Sequence, residues 1–242
     1  MIVGSEYFSI FALAYLKRKE NLMSTTKKMK SVLVGSFLVG INLLMAGCNP
    51  QRPAESTETV SVQRNEVIET IRSRRSIRQY QDRAVNRDTM QLILDCGILA
   101  PNGMNKQSWE VRVLDNPDFI SGITEVYKKA NPSVEKDPKF RNMFRNAPTV
   151  AFIAHDPGYD CSQIDCGLLG ENMILSAWSM GIGSCCLAGP VRFMNTHPEA
   201  ASYLQRLGFS EGYELLYCIA FGYPDEAPAA KPRLREKVLF VE

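Results

Sequence analysis

Apolar and polar positions recur along this chain with two different periods, and the switches between them outline its elements. Over 64–73, Val67, Ile68 and Ile71 share one face of a short amphipathic helix. A longer helix opens at Asn86 or Asp88, either a good N-cap. Its residues Met90, Ile93, Leu94, Gly97 and Ile98 recur at i, i+3, i+4, i+7 and i+8 on a single stripe. The breaker cluster Ala100-Pro101-Asn102-Gly103 ends it. A strand over 110–114 follows, then a helix from Asn116-Pro117 to about 130 and a polar, proline-bearing loop over 131–138. The run 149–154 reads as a buried strand. The helix over 162–180 is apolar almost all round (Ile164, Leu168, Leu169, Met173, Ile174, Trp178), which predicts protein on every side of it. Gly167 and Gly170 would let another backbone approach, and Gly181 is a natural C-cap. Then come a strand over 182–187, a tight turn at Ala188-Gly189-Pro190, a helix over 198–207 and a last strand over 213–221. A turn-rich exit over 222–230 leads to an extended tail that begins at Lys231-Pro232-Arg233. Strands that alternate with helices predict α+β or α/β, with a central sheet.

The first 60 residues follow another plan. Lys27, Lys28 and Lys30 precede an apolar run over 32–46 that ends at Gly47-Cys48. This is the order of a positive region, a short apolar region and a small-residue cleavage site. The run is too short for a comfortable membrane span. Leu44-Met45-Ala46-Gly47-Cys48 resembles a bacterial lipobox. The resemblance implies lipidation at Cys48 and an exported lipoprotein, membrane-anchored on the periplasmic or outer-membrane side. An ordinary signal peptide or an uncleaved anchor are the alternatives. Asn49 gives no aspartate-type inner-membrane retention signal, which favours the outer membrane. The segment 1–22 carries its own apolar run and Lys17-Arg18-Lys19, so Met23 or Met29 makes a better translation start; an additional hydrophobic segment is the alternative. The expected organisation is a leader over 1–47, the lipid-bearing Cys48 with a polar tether over 48–60, and a folded domain over 61–242.

Composition and charge then narrow the function. Apolar content of 45% suffices for a full core in that domain. Residues 1–47 hold six of the 28 basic and two of the 26 acidic residues, so the remainder has 22 against 24, a formal −2. A nucleic-acid-binding protein would keep a basic excess, so nucleic acid is not an expected partner. Six cysteines remain after Cys48: Cys96, Cys161, Cys166, Cys185, Cys186 and Cys218. An even count in an exported chain invites disulfides, yet most of these lie in apolar runs where a buried thiol is the commoner state. Cys161 and Cys166 lack a second ligand pair, so no metal site is assigned. Cys185 and Cys186 on a strand face opposite ways. His155 and His197, the only histidines, read as structural and as a cap or surface residue. No Ser-His-Asp or Cys-His arrangement is legible, and no catalytic side chain is assigned.

One segment concentrates positive charge against this near-neutral background: Arg72-Ser73-Arg74-Arg75-Ser76-Ile77-Arg78. Guanidinium groups this close repel unless an anion sits among them, and arginine forks match phosphate oxygens two at a time. A solvated patch or one bound phosphate are the two readings. Three more segments bear on the choice. With Arg74-Arg75-Ser76-Ile77-Arg78, the stretches 100–109 (Ala-Pro-Asn-Gly-Met-Asn-Lys-Gln-Ser-Trp), Gly181-Ile182-Gly183-Ser184 through Ala188-Gly189, and Lys231-Pro232-Arg233 resemble, in order, the motifs of the nitroreductase family. Ser108 stands where that family usually has proline.

The resemblance implies a mainly antiparallel central sheet flanked by helices, an intertwined homodimer, and FMN as cofactor. It implies that Arg74, Ser76, Lys231 and Arg233 hold the FMN phosphate, that Arg75 follows the ribityl arm, and that Arg78 stands near the ring N1/C2 edge. Pro101, Asn102, Gly103 and Asn105 match a segment that reaches the flavin from the other subunit. Ala188 and Gly189 match a turn whose amides face N5 and O4. Asn142 is a further candidate at the ring edge. The implied activity is ping-pong hydride transfer from NAD(P)H to a nitroaromatic, quinone or similar small aromatic acceptor. The alternative is a membrane-anchored flavin-binding electron relay without NAD(P)H turnover.

Overall fold

Among the described residues four strands pair in the order β1-β2-β4-β3, each antiparallel to its neighbours. A computed structural model describes residues 65–241. The leader, Met23, Met29, Cys48 and the tether over 48–60 lie outside the described residues. The strands are β1 (Trp109–Leu114), β2 (Thr149–His155), β3 (Gly183–Leu187) and β4 (Glu214–Gly222). The helices are α1 (Glu66–Ser73), α2 (Arg87–Ile98), α3 (Pro117–Ala130), α4 (Ser162–Ser179), α5 (Gly189–Thr196) and α6 (Ala201–Arg206). The class is α+β, with helices on both faces of the sheet.

Period-two alternation divides the core. From β2 and β4, Val150, Phe152, Cys218 and Ala220 join α3 and α5 on one face, through Ile120, Ile123, Val191 and Met194. Ala151, Ile153, Ile219 and Phe221 join α2 and α4 on the other, through Ile93, Leu169 and Met173. Both faces of β2 are covered, so all seven of its residues are buried. Each aromatic side chain buried here stabilises the fold by about 1.5–3 kcal/mol.

Local chemistry sets the boundaries. The Asn65 carboxamide accepts from the amides of Val67 and Ile68, Asn86 accepts from Asp88, and Asn116 accepts from Phe119, so each opens a helix. Gly181 has φ of 76°, as a helix-terminating glycine should. The turn expected at 188–190 is instead the start of α5, because Gly189-Pro190 occupies the first helical positions, where proline lacks no needed amide. The helix expected over 198–207 is a 3₁₀ turn, Pro198–Ala200, followed by α6. Gly170 does admit a close neighbour, but it is the Tyr217 side chain and not a backbone. No described residue would lie within 4 Å of a Cβ on Gly167, and Ile164 and Leu168 on the same helix are exposed. Cys185 is buried and Cys186 exposed, as expected of neighbours on a strand. His155 is buried and its Nδ1 meets the Ser162 hydroxyl at 3.0 Å, a structural role.

A surface pair ties the start of α2 to the end of β1. Arg87 donates to both carboxylate oxygens of Asp115, at 2.8 and 3.0 Å. The guanidinium holds the Asp115 carboxyl below its ordinary value. A depressed carboxyl stabilises above its unfolded value and loses that contribution as pH falls through the folded one. Wild type is therefore expected to lose a little stability below about pH 4 that Asp115→Asn does not lose. Arg87 is largely exposed, which keeps the effect small. Thermal melts between pH 6 and pH 3 check it; parallel curves would remove the ion pair from the account.

Candidate functional site

The arginine segment begins where α1 ends. Arg74 leaves helical geometry at ψ of 136°. The Arg75 guanidinium folds back and donates to the carbonyls of Arg72 and Arg74, both at 2.8 Å, which satisfies two groups that the helix end leaves open. The chain then runs beside β3: Ile77 N–H donates to the Ser184 carbonyl at 2.9 Å. Ile77 is fully buried, and its neighbours Ser76 and Arg78 turn outward. At the other end of α4, the Trp178 indole donates to the Ser73 hydroxyl at 2.9 Å and fixes α1 against α4.

Beyond β4 the chain is stitched to the same segment. Gln81 N–H donates to Tyr223 and Asp225 N–H to Gln79, at 2.9 and 3.0 Å. The Glu226 carboxylate accepts from the amides of Arg78 and Gln79. These contacts return residues 228–233 to the arginines. Ile71, Arg72, Arg74, Arg75, Ser76 and Arg78 together with 228–231 and Arg233 line one cleft of about 400 Å³. Among the described residues, six basic side chains and no acidic one line it. The expected meeting of Arg74 and Ser76 with Lys231 and Arg233 is therefore present. Arg72 also stands in the wall.

Arg78 also lines a second cleft of about 560 Å³, opposite Asn142, Arg145, Gly189 and Glu226. Its guanidinium bonds the Ser76 carbonyl at 3.2 Å, at the junction of the two clefts. Ala188 and Gly189 open α5, where first-turn amides have no helical partner. Asn142 lines the cleft but its carboxamide is used within the loop, accepting from Phe144 and donating to Ala147. Asn146 accepts from Arg141 and Asn142 and donates to Lys139. Arg145 and Asn146 both take positive φ, 59° and 66°. This loop turns Arg145 into the cleft, a residue that sequence reasoning passed over. Beneath the arginines lies Cys185. Burial pushes its thiol up, against the pull of Arg78 and Arg145, so it brings no negative charge to the site.

Pro101, Asn102, Gly103 and Asn105 line neither cleft. They form a separate loop between α2 and β1 in which Met104, Asn105 and Gln107 all take positive φ. Among the described residues, no group of three His, Cys, Asp or Glu is placed to hold a metal ion.

Residues 71–223 match the model of the nitroreductase family. The chain belongs to the nitroreductase family. Lys231 and Arg233 fall just beyond the matched stretch. A relative from Methanothermobacter thermautotrophicus, provisionally named NADH dehydrogenase/NAD(P)H nitroreductase, is 30% identical over 179 residues, which cover 70% of this chain and 83% of that one. A second, from Archaeoglobus fulgidus and with the same provisional name, is 28% identical over 66% of this chain and 87% of its own. Among solved structures, a nitroreductase with bound FMN from Bacteroides fragilis NCTC 9343 is similar at a TM-score of 0.64 and 29% identity, over 74% of this chain and all of that one.

Proposed function

We propose that the arginine cleft holds FMN and that the protein is an FMN-dependent oxidoreductase passing hydride from NAD(P)H to a nitroaromatic, quinone or similar small acceptor by a ping-pong mechanism. The observation that carries this is the cleft itself: six cations and no acid, drawn from both ends of the domain, in a chain whose charges otherwise nearly balance. Such a donor set fits a dianionic phosphate ester. The FMN-bound nitroreductase and the NAD(P)H nitroreductase relatives support the same reading.

In this reading Arg74, Ser76, Lys231 and Arg233 hold the phosphate. Arg75 is used at the helix end, so it serves the ribityl arm through its backbone. Arg78 places a fixed cation near the N1/C2 edge, where reduction brings negative charge. Ala188 and Gly189 present amides to N5 and O4, donors that add no competing acid. The Pro101–Asn105 loop, which stands apart from the clefts of its own protomer, serves the site of the partner in a homodimer. FMN, when bound, supplies the two-electron chemistry; the chain supplies binding, orientation and electrostatics. We propose as well that Cys48 carries the lipid of an exported lipoprotein, which intact-mass measurement of the membrane fraction tests.

The purified protein is expected to be yellow. NADH or NADPH should bleach it without oxygen, and a nitroaromatic should restore the colour. A flavin that neither nucleotide bleaches would overturn the hydride-transfer reading and leave an electron relay. A colourless protein that takes up no added FMN would overturn both.

A further inference from the structure

The loop over 101–108 is tied at both ends to one buried carboxylate. Asp165 lies in the first turn of α4 and is 2% exposed. One of its oxygens accepts from Gly103 N–H at 3.0 Å and the other from the Ser108 hydroxyl at 3.2 Å. Each end of the loop is thus bonded to one oxygen of the same group. Between the two anchors the chain folds tightly. Asn102 accepts from Gln107 N–H at 3.0 Å, and Lys106 N–H donates to Gly103 at 3.0 Å. Three non-glycine residues hold positive φ there, a costly set of conformations unless surrounding bonds impose them. Tyr159 closes the other side: its hydroxyl lies against Gly103, where a Cβ has no room, and Lys106 covers its ring at 4.3 Å. Met104, at the tip, is 78% exposed and projects away from its own protomer.

We infer that Asp165 is a positioning residue for the flavin site of the other subunit: it holds Asn102, Gly103 and Asn105 in the shape that site requires. The inference rests on the assignment of this loop to FMN made above. A carboxylate suits the task because it accepts on two sides at once and donates nothing. Burial strengthens both bonds, and it leaves the amide of Gly103 without a partner once the carboxylate is removed. Asn in its place keeps one accepting oxygen for Gly103 and offers a donor to Ser108, whose hydroxyl turns to accept.

Asp165→Ala is expected to weaken FMN binding by on the order of tenfold to a hundredfold, while Asp165→Asn restores most of the affinity. Complementation separates positioning across the dimer from plain loss of stability. Asp165→Ala subunits are mixed with Arg74→Ala subunits and the differently tagged heterodimer is isolated. If Asp165 serves the partner's site, one site in that heterodimer combines intact arginines with an intact loop. It binds FMN with wild-type affinity at half stoichiometry, which titration followed by flavin fluorescence reads. A heterodimer without any wild-type site overturns the inference, as does an Asp165→Ala homodimer that binds FMN normally. Asn105→Ala in the wild-type background tests the underlying assignment separately. Unchanged flavin affinity and unchanged flavin circular dichroism in that variant would overturn the loop assignment, and the inference with it.

Discussion

Replacing Arg74 and Arg233 together with alanine is expected to empty the protein of flavin while barely changing the stability of the flavin-free fold. Each side chain supplies charge-assisted donors to the proposed phosphate, worth about 1.5–3 kcal/mol apiece. Loss of both should raise the FMN Kd by roughly two to four orders of magnitude. Their cost to the fold is small for a visible reason. Arg233 is exposed and, among the described residues, its guanidinium bonds only the neighbouring carbonyls of Lys231 and Pro232. Arg74 is half-buried, and the helix-end bonds at this corner are made by the Arg75 side chain and by the Arg74 backbone. Removing two like charges from a cluster of six also relieves repulsion. The flavin-free variant should therefore melt within a few degrees of flavin-free wild type, about 2–4 °C per kcal/mol for a domain of this size. Lysine at both positions keeps charge without the fork and should fall between. Visible absorbance per chain gives occupancy and calorimetry gives Kd. Full occupancy in the double alanine variant would remove the phosphate from this cleft.

What the linear chain shows about the site depends on the range of the contacts. The phosphate cations are legible because their chemistry is in the side chains, and because unbalanced arginines in a near-neutral domain call for an anion. Glu226 is not legible: it acts on backbone amides 147 and 148 positions away, and nothing in its own neighbourhood marks it. Asp165 is not legible either: α4 also carries Glu171, which is exposed, and nothing in the sequence says which of the two acids is buried against donors. Arg145 is placed by the left-handed turn that Asn146 pins, and asparagine is among the residues that tolerate such geometry. The strands and most helices follow from period alone. One exception is α5, whose Gly189-Pro190 start looks like punctuation, although proline in a first turn opens helices as readily as it ends them. Its two buried residues, Val191 and Met194, are too few to declare a stripe.

Gly183→Ala should damage the fold and the flavin site together, because one contact links them. Gly183 opens β3 and pairs with Gly222 of β4. A methyl group on it would sit 2.8 Å from Ile77 Cγ1, 3.0 Å from Ile77 Cβ and 3.0 Å from Pro224 Cγ. Neither neighbour has room to retreat. Ile77 is fully buried beside β3 and bonded through its amide to Ser184, and Pro224 is held by its bridge to Tyr80. Overpacking of this kind costs about 1–3 kcal/mol, and the melting temperature should fall by roughly 2–12 °C. The displacement does not stop at the core. Ile77 stands between Ser76 and Arg78, so a shift of its backbone carries the outward-facing hydroxyl and guanidinium with it. Flavin affinity should drop about tenfold or more, since each 1.4 kcal/mol of lost binding is a factor of ten. The double variant Gly183→Ala/Ile77→Ala separates the two effects. Ile77→Ala alone opens a cavity and costs about 2–5 kcal/mol. The new methyl fills part of that cavity, so the double variant should lose less stability than the two single losses added together. Additive losses would show that Gly183 and Ile77 do not press on one another, and normal FMN affinity in Gly183→Ala would show that the cleft does not depend on this contact.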